Sequence, residues 1–183
     1  MVFDAVLQPQ TTGFQVMPIL CVNAKMNRAY DKILNLLETG GAEYRLHDHI
    51  PIRTIDEALE KVPHLTKNLL KTVVFRIKDG GWILAAVGGP DRIHYKRLGE
   101  CFGVNRRDLR SVSPEEVQSD LGFEVGGVGP FPVATDVQVV VDEKLKHLGR
   151  VFCGSGLNTK TVEIRVADLI RLSGARVYPV TKE

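Results

Sequence analysis

Hydrophobic positions near the start of the chain recur every three or four residues, at Tyr30, Ile33, Leu34 and Leu37. This spacing predicts an amphipathic helix that Asn27 caps and that ends at the pair Gly40-Gly41. Two further helix starts are marked by a hydroxyl residue with a glutamate three positions later, at Thr54 and at Ser113. Such a capping box satisfies the first backbone donors of a helix.

Runs rich in β-branched and aromatic residues predict the strands. Residues 71–77 and 82–87 form a hairpin around Lys78-Asp79-Gly80-Gly81, and the apolar run 133–141 predicts a central strand. Shorter strands are predicted at 44–47, 151–153, 161–166 and 177–180, and helices at 91–100, after Asn105 and at 167–173. Helices and hairpins interleave without regular βαβ repetition. The predicted fold class is therefore α+β, with a mixed β-sheet surrounded by helices.

Composition narrows the class of protein. The chain has 183 residues, of which 44% are hydrophobic and 25% charged, and this suits one globular domain. We assign residues 26–183 to that domain and residues 1–25 to a poorly ordered N-terminal extension. The net charge of +2 does not by itself predict polyanion binding. No apolar run reaches the ~20 residues of a membrane span, and the first 25 residues lack the pattern of a cleaved signal.

Three cysteines are scattered without C-x-x-C spacing, at Cys21, Cys101 and Cys153. This argues against a disulfide framework or a zinc site, and it fits a reducing cytoplasm. His47 and His49 fall on one face of a strand, but no third ligand is apparent, so no metal site is predicted. Cys153 is expected to be a core residue.

The most distinctive loop contains three glycines and two prolines, in the order Gly126-Gly127-Val128-Gly129-Pro130-Phe131-Pro132. Bare backbone can approach a ligand closely, and converging N–H groups suit a carbonyl, carboxylate or phosphate oxygen. The prolines stiffen the bend. A tight turn between two strands is an equally good interpretation of these residues.

Lys71, Asp136 and Ser155 are the isolated candidates for chemistry. Lys71 lies where a strand becomes apolar, and its ammonium either extends to solvent or binds an oxygen atom in a pocket. Asp136 lies in an otherwise apolar run, so it is expected to be buried, with either a structural partner or a catalytic role. Gly154-Ser155-Gly156 is not a nucleophile elbow, which favours a hydrogen-bonding turn or lid.

The densest positive segment lies between residues 92 and 110 and contains Arg92, Lys96, Arg97, Arg106, Arg107 and Arg110. Two acidic residues in the same segment, Glu100 and Asp108, leave it at +4. A solvated helix face is one interpretation. Contact with nucleic-acid phosphates is the other.

These motifs occur in one order, Leu70-Lys71-Thr72-Val73, Gly126-x-x-x-Pro130, Asp136, Gly154-Ser155-Gly156 and Asp168-Leu169-Ile170-Arg171-Leu172-Ser173-Gly174. From about Met26 onward the chain resembles the YbaK family, the editing domains associated with prolyl-tRNA synthetase, which include free-standing aminoacyl-tRNA deacylases. The resemblance implies a YbaK-like fold with a partly barrel-like sheet. It also implies Lys71 as the catalytic residue. The substrate-binding residues that it implies are Gly126, Gly127, Val128, Gly129, Pro130, Asp136, Gly154, Ser155 and Gly156.

The implied activity is trans-editing, in which a wrong amino acid is hydrolysed from the terminal adenosine of tRNA(Pro) or a related tRNA. A free ribose hydroxyl of the substrate would help to activate water, so no cofactor, metal or protein nucleophile is implied. Small amino acids such as alanine, cysteine or serine are the expected substrates. Aminoacyl-tRNA and an aminoacyl-tRNA synthetase are the implied partners, with neither membrane nor DNA. Two rival functions stay open, an inactive tRNA- or synthetase-binding module and a hydrolase of free esters.

Overall fold

The computed structural model of the protein describes residues 28–182, so Asn27 and the predicted extension 1–25 lie outside the described residues. The helices are α1 Arg28–Thr39, α2 Ile55–Lys61, α3 Tyr95–Phe102, α4 Pro114–Glu116 and α5 Val166–Ser173. Helix α4 continues as a π-helical turn, Val117–Leu121, and short 3₁₀ turns occupy Pro63–Leu65, Arg106–Asp108 and Glu143–His147. The strands are β1 Tyr44–Asp48, β2 Leu70–Ile77, β3 Trp82–Gly88, β4 Leu109–Ser111, β5 Val137–Asp142, β6 Arg150–Gly154, β7 Lys160–Arg165 and β8 Arg176–Tyr178. Within these residues, no helix has both the length and the apolar character needed to cross a membrane.

The strands form two sheets. The larger has the order β4-β2-β3-β5-β8, and the smaller has the order β1-β7-β6. The β3–β5 and β5–β8 pairs are parallel, whereas the other pairs are antiparallel. The sheets are not closed into a barrel, but an isolated bridge between Leu69 and Phe152 joins them on one side. The predicted α+β class with a mixed sheet is confirmed.

Strand β3 is the centre of the core. All its residues from Trp82 to Val87 are buried, because β2 and β5 flank it and both of its faces are covered. One face packs toward the smaller sheet and the α1 residues Ile33 and Leu37. The other face packs under α3, where Leu98 is fully buried. The helical spacing at the start of the chain therefore corresponds to a buried face, as predicted.

Both predicted helix starts are capped by a hydroxyl side chain. The Thr54 hydroxyl accepts a hydrogen bond from the Glu57 amide at 3.1 Å, and the Ser113 hydroxyl accepts one from the Glu116 amide at 3.2 Å. The reciprocal bond of a capping box is absent at both caps, because the Glu57 carboxylate accepts from the amide of Arg53, one residue before the cap, and the Glu116 carboxylate pairs with Arg110.

Two predicted boundaries are wrong. Helix α3 begins at Tyr95 rather than at residue 91, because Ile93 bridges Thr181 and the His94 amide donates to the Val180 carbonyl at 2.7 Å. These contacts hold the chain extended up to the helix start. Strand β5 begins at Val137 rather than at residue 133, because a turn at Thr135 and Asp136 precedes it.

Two glycine-containing loops cross in close backbone contact. A Cβ atom on Gly129 would lie 2.0 Å from the Gly154 carbonyl oxygen, and one on Gly127 would lie 2.6 Å from the Leu157 carbonyl carbon. A Cβ on Gly154 would in turn lie 2.4 Å from the Val128 carbonyl oxygen. The Gly156 amide donates to the Gly127 carbonyl at 2.8 Å. We call residues 126–129 and 154–157 the loop crossing; the two backbones lie so close that a side chain has no room at Gly127, Gly129 or Gly154.

This close approach predicts that Gly129→Ala destabilises the fold. The methyl group would have to displace backbone, so we expect a loss of about 1–3 kcal/mol in the free energy of unfolding, the usual range for overpacking. Gly149→Ala is the matched control, because a Cβ there has no neighbour within 4 Å. Denaturant unfolding of both variants measures the difference. Equal stability of the two variants would show that the loops do not depend on bare backbone.

Candidate active site

A cavity of about 380 Å³ opens beside strand β2. The backbone groups of Leu69 and Ile77 face β3. The Leu69 carbonyl accepts a hydrogen bond from the Gly89 amide, and the Ile77 amide donates one to the Gly81 carbonyl. In an antiparallel pair the intervening even-numbered residues then direct their backbone groups to the opposite edge.

That opposite edge is covered only at its two ends. Near one end the Phe152 amide of β6 donates to the Asn68 carbonyl at 3.3 Å, and at the other the Lys78 amide donates to the Asp108 carbonyl at 2.8 Å. Between these contacts β6 and β4 diverge from β2, and the backbone of Thr72 faces the cavity. The site is therefore a split between neighbouring strands.

The cavity walls are mostly apolar. Helix α2 and the turn after it contribute Ala58, Val62 and Leu65, while Phe123 and Cys153 line another part. Burial raises the pKa of the Cys153 thiol to about 12. Cys153 is therefore a neutral core residue, as predicted.

Lys71 lies at the start of β2 and lines this cavity. Its side chain is half-buried, and burial lowers the pKa of its ammonium group. The Asp91 carboxylate acts in the opposite direction and raises that pKa, while Arg92 lowers it further. A partly desolvated cation is thus directed at a mostly apolar pocket, where it can bind an anionic or carbonyl oxygen.

The glycine loop meets the cavity only in part. Gly126, with a φ of +90°, and Val128 line the cavity, as does Gly154 from the facing loop. Gly127, Gly129 and Pro130 do not line it. The Gly127 amide is already used, because it donates to the Glu124 carbonyl at 2.8 Å. Gly127 and Gly129 face the other loop instead, and their assignment to substrate binding stays a prediction.

Ser155 and Gly156 belong to the loop crossing rather than to the cavity wall. The Ser155 side chain is buried, and its hydroxyl donates to the Lys160 carbonyl at 2.8 Å and accepts from the Leu157 amide at 3.3 Å. This confirms the interpretation of Ser155 as a hydrogen-bonding turn residue. A Cβ on Gly156 would lie 2.6 Å from the Tyr30 nitrogen, so this glycine packs against α1.

Asp136 lies away from the cavity. Its side chain is 52% exposed and contacts Arg76 at 3.6 Å. Its carbonyl accepts from the Trp82 amide, whereas Lys71 pairs with Val87 near the other end of β3. The prediction of a buried Asp136 in a strand is wrong, because the apolar run that contains it begins as a turn.

The basic residues fall into two groups. Arg110 forms a bidentate pair with Glu116 at 2.8 and 2.6 Å, and one Arg97 nitrogen donates to the Thr181 carbonyl at 3.0 Å. Both therefore support the fold. Exposed side chains form the second group, which consists of Arg92, Lys96, Arg106 and Arg107.

Two members of the second group do not line the cavity themselves but lie near residues that do. Arg92 is close enough to Lys71 to lower its pKa. Arg106 lies over the Tyr95 ring at 5.8 Å, and the Tyr95 hydroxyl is 2.8 Å from that of Ser111, a cavity residue. Positive charge therefore borders the cavity on the α3 side.

Sequence reasoning missed several polar residues of the cavity. Glu124 and Asn158 meet there through a 2.9 Å hydrogen bond from the Asn158 amide to the carboxylate. His49 also lines the cavity and contacts the Thr161 hydroxyl at 2.9 Å, while His47 pairs with Glu163 at 2.9 Å. Throughout residues 28–182, no three His, Cys, Asp or Glu side chains are grouped so that they could hold a metal ion. Glu124 lies two residues before Gly126, and no sequence pattern distinguishes it from other glutamates.

Comparisons with known proteins identify the family of the chain. The family model described as "Aminoacyl-tRNA editing domain" matches residues 49–172. Protein YwhH of Bacillus subtilis, which is uncharacterized, is 31% identical over 125 residues, covering 68% of this chain and 78% of YwhH. The proline–tRNA ligase of Lactiplantibacillus plantarum is 30% identical over 104 residues, covering 57% of this chain and 18% of the ligase. The chain thus spans about a fifth of such a ligase.

Solved structures share the fold over nearly their whole length. Hypothetical protein APE2540 has a TM-score of 0.74 and 26% identity, covering 82% of this chain and 99% of APE2540. A candidate trans-editing enzyme for prolyl tRNA synthetase has a TM-score of 0.71 and 26% identity, covering 85% of this chain and 98% of that protein. The family model covers well over half of the sequence and includes Lys71 and both loops of the crossing. The chain therefore belongs to the family of YbaK-type aminoacyl-tRNA editing domains, which its motifs resemble.

Proposed function

We propose that this protein is a trans-editing deacylase that removes a wrong, small amino acid from tRNA(Pro) or a related tRNA. The observation that carries the proposal is the half-buried Lys71 on the open edge of β2, inside a mostly apolar cavity. A volume of about 380 Å³ lies at the small end of the range for ligand pockets. It suits a small aminoacyl group such as alanyl, cysteinyl or seryl.

Lys71 supplies the charge that this reaction needs. Water adds to the ester carbonyl carbon, and negative charge develops on the carbonyl oxygen before the bond to the ribose oxygen breaks. In this proposal the Lys71 ammonium and the Thr72 amide, which belong to residues that line the cavity, stabilise that oxygen. The ribose oxygen takes up a proton, and the amino acid leaves as a carboxylate.

The nucleophile in this proposal is water. Ser155 is buried with its hydroxyl bonded inside the loop, and the Cys153 thiol is held neutral by burial. The free ribose hydroxyl next to the ester helps to activate the water, as the family resemblance implies. Positioning the activated ester then supplies much of the rate, without a metal or a covalent intermediate.

The terminal adenosine of the tRNA enters from the α3 side in this proposal. Arg92 and Arg106 border the cavity there, and their charges suit the phosphates of the acceptor end. An aminoacyl-tRNA synthetase that produces the mischarged tRNA is the candidate protein partner. The cytoplasm, where translation takes place, is the proposed location.

The decisive experiment is a deacylation assay with purified protein and a panel of tRNA(Pro) charged with alanine, cysteine, serine or proline. We expect hydrolysis of at least one small non-proline ester and protection of prolyl-tRNA. Retention of tRNA without any hydrolysis would identify a binding module. Equal hydrolysis of alanine methyl ester, unaffected by changes at Arg92, would identify a hydrolase of free esters.

Lys71→Met should abolish deacylation and stabilise the fold. Removal of the oxyanion-stabilising charge is expected to lower kcat by about 10²–10³. Because burial lowers the pKa of Lys71 in the folded protein, its charged form disfavours folding at every pH below that lowered pKa. The variant should therefore have a higher Tm at pH 7, with the gain shrinking as pH rises through the lowered pKa toward the ordinary lysine value.

Lys78→Met is the matched control, because Lys78 is exposed in the β2–β3 turn. It should change neither kcat nor Tm appreciably. Undiminished deacylation by Lys71→Met would remove Lys71 from the active site. A lowered Tm together with abolished activity would instead indicate a structural lysine.

The double charge reversal Arg92→Glu/Arg106→Glu should weaken binding to all tRNAs alike. The slope of log affinity against log salt should become shallower by about 0.7–0.9 for each phosphate that the protein no longer neutralises. The reversal Lys144→Glu/Lys146→Glu makes the same change in net charge at exposed positions that do not line the cavity. Filter binding at several salt concentrations compares the two. Equal effects of both reversals would show that tRNA responds only to net charge.

A further inference from the structure

Glu124 places a second charge in the cavity, opposite in sign to Lys71. It lines the cavity from the segment just before the glycine loop, whereas Lys71 lines it from β2. Its side chain is half-buried. The pocket therefore presents a cation and an anion from two different segments of the chain.

The Glu124 backbone is held on both sides. Its amide donates to the Gly156 carbonyl at 2.9 Å, and its carbonyl accepts from the Gly127 amide at 2.8 Å. Both bonds tie it to the loop crossing, so the backbone that carries the side chain is anchored to closely packed loops. A rigidly placed carboxylate is suited to recognition.

The carboxylate itself has few partners. It accepts one hydrogen bond, from the backbone N–H of Asn158 at 2.9 Å, and within residues 28–182 it forms no ion pair. Lys160, another cavity residue, is paired with Asp48 instead. A half-buried carboxylate with spare acceptor capacity favours a cationic ligand group, since a cation compensates for the hydration that burial removes.

We propose that Glu124 binds the α-ammonium group of the aminoacyl ester. The inference rests on the proposed function, because an aminoacyl ester carries the two groups that this cavity complements. Its carbonyl oxygen faces Lys71 and its ammonium group faces Glu124. The site then selects esters of free amino acids and rejects esters whose nitrogen is acylated, such as peptidyl-tRNA.

A binding experiment that needs no catalysis tests this assignment. The probes are 3′-alanylamino-3′-deoxyadenosine, whose amide resists hydrolysis, and its N-acetyl derivative, which lacks the positive charge. Calorimetry at pH 6.5 should show that the native protein binds the ammonium form about tenfold more tightly, as expected for a hydrogen bond to a charged group. In Glu124→Gln the two probes should bind equally.

Glutamine keeps an acceptor for the Asn158 amide, so the loop should stay intact, and an unchanged Tm checks this. Glu115→Gln is the matched control, because Glu115 is exposed on α4 and should keep the tenfold preference. Equal binding of the probes by the native protein, or no binding of either, overturns the inference. A preference that survives in Glu124→Gln also overturns it.

The deacylation assay separates this inference from the proposed function. Hydrolysis of alanyl-tRNA with no Glu124-dependent probe preference would leave the function standing and remove the role of Glu124. A Glu124-dependent preference without any deacylation would support the binding role and contradict the enzyme. With both present, Glu124→Gln should slow the hydrolysis of alanyl-tRNA but leave that of N-acetylalanyl-tRNA unchanged.

Discussion

The close contact of two backbones at the loop crossing is the constraint on which the site depends. Gly127 and Gly129 approach Gly154 and Leu157 so closely that a single added methyl group would overlap backbone atoms. Residues on both sides of this contact line the cavity, including Gly126, Val128, Gly154 and Asn158. The position of one wall relative to β2 is therefore fixed by main-chain packing, which has little freedom to relax.

The cavity exists because strands part rather than because a loop folds over a surface. Strand β6 contacts β2 near Leu69 and strand β4 contacts it near Ile77, and the edge between them has no strand partner among the described residues. Unpaired strand edges usually recruit other strands, and short or covered edges prevent this. Here α2 and the loop crossing line a small cavity beside the open edge, which leaves too little space for another strand but enough for a small ligand.

The sequence correctly predicted the structural features that depend on residues close together in the chain. The hydroxyl caps at Thr54 and Ser113, the β2–β3 hairpin and the end of α5 at Gly174 are all present, because each depends on residues a few positions apart. The predicted starts of α3 and β5 were wrong. Contacts with the distant residues Val180 and Thr181 determine where α3 begins, and a turn at Asp136 determines where β5 begins. Such tertiary effects override propensity.

Only some residues of the candidate site could be predicted from the sequence. Lys71 could be singled out because a cation at the start of an apolar strand is unusual, and the cavity contains it. Glu124 could not, since one glutamate before a glycine loop carries no pattern, and its significance depends on Asn158 lying 34 residues away in the chain. The open edge of β2 also determines which parts of the pocket can change by substitution. Because the Thr72 amide and carbonyl belong to the main chain, a replacement by any residue other than proline retains both groups. Neighbouring side chains can therefore be exchanged without loss of these two main-chain groups, so the size and polarity of the cavity can change while its backbone hydrogen-bonding capacity stays the same.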